Sequence, residues 1–139
     1  MIFLENRQSL RLAAARKIAE AAEAFANSQN WSVSIAITDE SGHVIYVERM
    51  DGAIIASVAI AEQKARTAVS YKCPTKDLEG GIQAGMLSLL KLDAMPFEGG
   101  IPIVVNGQIV GAVGASGHSP AGDGKVAQAG ADWCIEGLA

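Results

Sequence analysis

The chain has 139 residues, 50% of them hydrophobic but only 5% aromatic, so its apolar content is mostly the Ala, Ile, Val and Leu that pack helices onto a sheet. That length suits one compact domain spanning 1–139, and the formal charge of −4, from 11 basic and 15 acidic residues, leaves no positive footprint for nucleic acid or an anionic membrane surface. No apolar run approaches the roughly 18 residues of a membrane span, and the opening MIFLENRQSL is too short and too acidic for a secretory signal, which predicts a cytoplasmic protein with no membrane partner.

From Ser9 to Asn27 the residues Leu10, Ala14, Ile18, Ala21 and Phe25 recur at spacings of three and four, which predicts an amphipathic helix capped by Asn6 or Ser9. In VSIAITDESGHVIYVERMDGA two β-branched runs flank the turn residues Asp39 to Gly42, the pattern of a hairpin. Helical period returns from Ile54 to Lys72 without Gly or Pro, and Pro74 stops it. Over TKDLEGGIQAGMLSLLKLDAMPFEGG, Met86, Leu87 and Leu90 favour helix while Gly80, Gly81 and Gly85 weaken it, so a short helix and then an irregular connection are expected. IPIVV and QIVGAVGASG are joined by Asn106 and Gly107, a strong hairpin signal. Ser119 and Pro120 then read as the N-cap and first residue of a last helix through Val126, Ala127, Ala131 and Ile135. This order predicts an α/β (α+β) domain whose antiparallel sheet carries helices on its faces, rather than a parallel Rossmann sheet.

Glycine crowds the run EGGIPIVVNGQIVGAVGASGHSP, yet it holds no GxxxxGK[ST], and GAVGASG is not a GxGxxG opening a helix after a first strand. Two readings stay open: Gly111 and Gly114 let a helix or another subunit lie close on the sheet, or ASGHSP presents the N–H groups of a helix start to an anion such as a carboxylate. In ERMDGA, Arg49 and Asp51 lie two apart on a strand and so share a face, fit either to act on a polar ligand or to pair and cap the next helix. Within that helix Glu62 and Arg66 form a surface (i, i+4) pair, and Lys64 lies off the apolar stripe, either solvated or reaching the same pocket. His43 follows a turn and reads as exposed, whereas His118, between Gly117 and the Ser119 cap, is open to three roles: acid or base, metal or haem ligand, or hydrogen-bonded loop residue. Cys73 and Cys134 fit no CxxC pattern and read as reduced, buried thiols.

Taken in order, TDESGHVIYVERMDGA, SVAIAEQKARTA, GGIPIVVNGQIVGAVGASG and Asp123 resemble the haem-degrading, GlcG/HbpS-like family, domain of unknown function 336, which also forms the C-terminal domain of PduO-type corrinoid adenosyltransferases. The resemblance covers nearly the whole chain. It implies a profilin-like fold, a five-stranded antiparallel sheet with helices on both faces, and a homo-oligomer, an octamer or smaller. It also implies a haem- or small-ligand-binding accessory protein, with haem degradation among the activities in the family and haem as the possible cofactor. Arg49, Met50, Asp51, Lys64, Gly99, Gly100, Ser116, Gly117 and Asp123 match the family pattern; all of these but Asp123, together with Ser119, are the expected ligand-binding set, Lys64 and Arg49 lying near propionates and the glycine loops forming the wall.

The departures lie at the same place. His118 stands where the family usually has Gly, and Gly122 where it commonly has Gln, which opens space at the helix start for a larger ligand. Some haem-binding relatives use a histidine of the first helix as axial ligand; Ser9 to Asn27 contains none, so His118, Met50 or Ser119 would have to take that place. The alternative is a small enzyme or sensor for an anionic metabolite, a carboxylate or carbonyl compound, in which His118 exchanges a proton and Asp123 or Asp51 orients it.

Overall fold

Helix α1 (Leu12–Ser28) buries Ala15, Ile18, Ala19, Ala22 and Ala26, a stripe at helical spacing, in a computed structural model that describes residues 2–138. It begins later than the pattern predicts: Arg11 is the N-cap and offers no side-chain bond, so neither Asn6 nor Ser9 caps it. Tertiary contact does the positioning instead, through buried Leu10, whose N–H donates to the Val110 carbonyl at 3.1 Å.

The first hairpin pairs β1 (Ser34–Asp39) with β2 (Val44–Arg49). Its turn is held by Asp39, whose Oδ1 accepts the N–H groups of Ser41 and His43, each at 2.9 Å. Helix α2 (Ser57–Tyr71) ends at Lys72, which adopts the left-handed conformation (φ 54°) just before Pro74. Helix α3 (Thr75–Gln83) and a 3₁₀ turn (Leu87–Lys91) make up the short helix and irregular connection. The second hairpin joins β3 (Gly100–Val105) to β4 (Gln108–Ser116) through Asn106 (φ 50°) and Gly107 (φ 77°), the two positive angles that a two-residue hairpin turn demands. Helix α4 (Pro120–Leu138) is capped as read from the sequence: Ser119 Oγ accepts the Gly122 N–H at 3.1 Å.

The strands form an antiparallel sheet in the order β2-β1-β4-β3. Among the described residues it has four strands, not the five that the resemblance implies. The two remaining long segments cannot supply a fifth. Residues 2–10 carry no strand, and their end is tied to the sheet by the bond of Leu10; residues 84–99 are broken by the 3₁₀ turn and Pro96.

Alternation along the strands divides the side chains between two faces. Ile35, Ile37, Ile103, Val113 and Ala115 pack beneath α1 and α4 in the main core, while Ala112 meets Ala65, Ala68 and Val69 of α2 on the opposite face. Helix α2 lies very close to the sheet because Gly114 has no side chain: a Cβ there would overlap the Ala61 carbonyl oxygen. No helix among the described residues is long and apolar enough to cross a membrane.

Candidate functional site

Register gathers the sequence-predicted residues at one end of the sheet. Ser34 pairs with Arg49 on one side and Ser116 on the other, and Gly100 pairs with Gly114. The segments that leave these strand ends, 49–52, 97–99 and 117–119, therefore meet the start of α4. Within this end the predicted residues separate into a buried clasp and an exposed rim.

Lys64 and Asp123 make the clasp. Lys64 is 2% exposed and Asp123 4%, and Lys64 Nζ donates to Asp123 Oδ2 at 3.1 Å and to the Ala115 carbonyl at 3.0 Å. A buried ion pair persists when both partners' remaining valences are also met, and here Asp123 Oδ1 accepts the backbone N–H of His118 at 2.9 Å. Ammonium and carboxylate together thus tie α2 to the end of β4, through the Ala115 carbonyl, and to the loop before α4, through the His118 N–H. The reading of Lys64 as solvated is corrected: its ammonium is enclosed and its bonds go to Asp123 and Ala115, while Arg49 is exposed. Asp123 likewise orients the main chain of His118 rather than its imidazole.

Gly99 and Gly100 do not wall a cavity, contrary to expectation, because the clasp occupies the space over them. A Cβ on Gly99 (φ 136°) would lie 2.6 Å from the Ala115 oxygen and 2.7 Å from Lys64 Nζ, and one on Gly100 would overlap the Lys64 carbonyl. Thr75 secures this loop, its Oγ1 donating to Phe97 O at 2.6 Å and accepting the Gly100 N–H at 2.9 Å. Ser116 is buried, and Gly117 packs against Ser32 and Val33. Met50 packs on the main core, its N–H bonded to Val33 O at 3.0 Å. Arg49 and Asp51 are exposed and form no ion pair with each other, and Ala56 rather than Asp51 is the N-cap of α2.

His118 and Ser119 form the rim. The exposed imidazole lies flat on Trp31, ring centroids 4.3 Å apart and planes inclined by 17°. Gly122 makes room for that stack: a Cβ there would lie 2.7 Å from His118 Cδ2 and 3.2 Å from Trp31 Cζ3. The space opened at the helix start is thus filled by the chain's own imidazole, which corrects its assignment to a larger ligand. Beside it an open cleft of about 800 Å³ is lined by Ser119, Pro120, Lys76, Glu79, Gln83 and Glu98 among others.

Little of the start of α4 is left to hold an anion. Ser119 Oγ takes the Gly122 N–H, the Ser119 carbonyl takes that of Asp123 at 2.7 Å, and the Glu98 carboxylate lies over Gly124. What the rim can offer chemically is one exposed imidazole, its face fixed by Trp31, able to exchange a proton or to give a single ligand to a metal-bearing group. No group of three or more His, Cys, Asp or Glu side chains among the described residues could hold a metal ion. Sequence reading passed over Trp31, Thr75 and Lys76; Trp31 alone carried a signal, as an aromatic in an aromatic-poor chain placed between a helix end and a strand.

Comparison with known proteins agrees with this architecture. The model of the family described as "Haem degrading protein HbpS-like" matches residues 10–132. Protein GlcG of Escherichia coli strain K12 is 41% identical over 103 residues, 73% of this chain and 77% of that protein. The crystal structure of Klebsiella pneumoniae protein ORFY superposes with a TM-score of 0.90 at 32% identity, covering 100% of this chain and 99% of that one. A crystal structure of a PduOC:heme complex superposes with a TM-score of 0.80 at 29% identity, covering 89% of this chain and 94% of that one. With most of its length inside the family model and two-fifths of its aligned residues shared with GlcG, the chain belongs to the HbpS-like family.

Proposed function

We propose that this chain is a haem- or small-ligand-binding accessory protein that acts in the cytoplasm as a homo-oligomer. The observation that carries the reading is its likeness, over 89% of its length, to a relative whose structure was solved as a haem complex. The donor set supports it in part. His118 is exposed and directly precedes Ser119, which lines a cleft together with the cation Lys76 and the acidic residues Asp77, Glu79 and Glu98; in this reading His118 would hold the iron and Lys76 a propionate. When bound, haem supplies one-electron and oxygen chemistry. The chain's own contribution is positional: Trp31 fixes the plane of the imidazole, and Asp123 fixes the backbone that carries it. Self-association is supported by the apolar side chains one copy leaves exposed, among them Ile54, Ile55 and Phe97.

The test is a haemin titration followed by absorbance, on the natural chain and on His118→Ala. A saturable Soret band at about one haem per chain, lost in the variant, is expected. Absence of specific binding sinks the haem reading, leaving proton exchange by His118 on a carboxylate or carbonyl compound as the alternative to assay. Haem degradation, named in the family description, is read in the same samples as decay of the Soret band once ascorbate is added in air.

A further inference from the structure

We propose that Ile2, Phe3 and Leu4 seat on a second copy of this chain, on the apolar surface formed by Met86, Leu87 and Leu90 around the 3₁₀ turn. The proposal rests on the self-association reading and names the surfaces that would mediate it. Isolated apolar residues at a surface are ordinary, but three consecutive large ones, 89%, 84% and 86% exposed, are not. Their proposed seat is 56%, 63% and 62% exposed. Arm and seat are therefore both uncovered in one chain, and neither shields the other.

The arm is directed by the residues behind it. Leu10 is buried and bonded to Val110, and Asn6 and Gln8 lie beside Asn106 and Gln108, so the segment leaves the body at the tip of the second hairpin. Its charges cancel locally, since Arg7 and Glu5 pair at 2.7 Å, which leaves the tip apolar in what it offers a partner. That chemistry suits another apolar surface and excludes nucleic acid.

Area favours a reciprocal exchange between two copies related by a twofold axis, in which each arm meets the other's seat. At roughly 150 Å² for each large side chain, the six arm residues would bury up to about 800 Å² and the six seat residues, already about two-fifths covered, up to about 550 Å², together reaching the lower part of the roughly 1,200–2,000 Å² of a stable interface.

Sedimentation velocity on three proteins tests this: the natural chain, the arm variant Ile2→Ser/Phe3→Ser/Leu4→Ser, and the seat variant Leu87→Ser/Leu90→Ser. All altered side chains are exposed, so each variant should keep the natural circular dichroism spectrum. We expect both variants to dissociate at least about tenfold more readily than the natural chain. In a Cys73→Ser background, copies carrying Phe3→Cys should form a disulfide with copies carrying Leu90→Cys when mixed and oxidised. A natural chain that sediments as a monomer overturns self-association itself. An assembly that either variant leaves intact, or a mixture that forms no cross-link, overturns the arm and its seat while leaving self-association standing.

Discussion

Glu48, on the edge strand β2, faces Glu23 and Glu20 of α1. Burial, with the charges of those two carboxylates and a hydrogen bond to Glu23, pushes its carboxyl up to about 7. The folded protein therefore holds a proton on Glu48 that the unfolded chain releases near its ordinary value. Stability from this group is intact below about pH 4.5, falls as pH rises, and is fully lost above about 7. Glu48→Gln, a neutral isostere, should therefore stabilise the protein by on the order of 1 kcal/mol at about pH 8, a figure reduced for the screening of a half-exposed group, and by little at about pH 5. Urea midpoints at the two pH values check this, and an equal gain at both would dismiss the carboxylate cluster as its cause. Composition alone hides such a residue. Glu48 reads as an ordinary strand charge until α1 is laid over it.

Between elements, the clasp shows what helical period leaves open. Lys64 lies off the apolar stripe of α2, a position that ordinarily means solvent, yet α2 sits so close over Gly114 and Gly100 that the side chain is enclosed and must find a carboxylate. Lys64→Met should strand the Asp123 carboxylate and cost about 3–5 kcal/mol, whereas Lys64→Met with Asp123→Asn should recover a large part, because asparagine keeps an acceptor for the His118 N–H. Denaturant unfolding with an unchanged slope measures both. A single-variant loss below about 1 kcal/mol would mean that water reaches the pair. Both hairpins and the cap of α4 were legible because their signals are local: an Asn-Gly turn, alternating β-branched residues, a Ser-Pro start. The first turn of α1 was not, since Leu10 holds it through a strand distant in sequence.

For the whole molecule, strand order decides where stability concentrates. β1 and β4 are central, each bonded on both edges, and β1 is buried from Ser34 to Thr38. Amide hydrogen exchange should be slowest in these two strands and faster in the outer strands β2 and β3, as read by mass spectrometry. Protection as strong in β2 as in β1 would show instead that a partner strand or second copy covers that edge. The helices divide unevenly, α1 and α4 over one face and α2 over the other, so the end where both layers meet the strand termini can gather residues from four segments.

The sequence by itself determined the elements, their order, the antiparallel sheet and the family, because periodicity, turn chemistry and motif order are properties of neighbouring residues. It also singled out residues that the strand register gathers at one end of the sheet. Only the tertiary structure decided which of those residues are interior and which face solvent: Lys64, Asp123, Gly99 and Gly100 are locked into a clasp, while His118 rests on Trp31 beside the cleft. The reason is physical. A glycine marks close approach without saying what approaches, and a charged side chain shows its partner only when distant segments pack together.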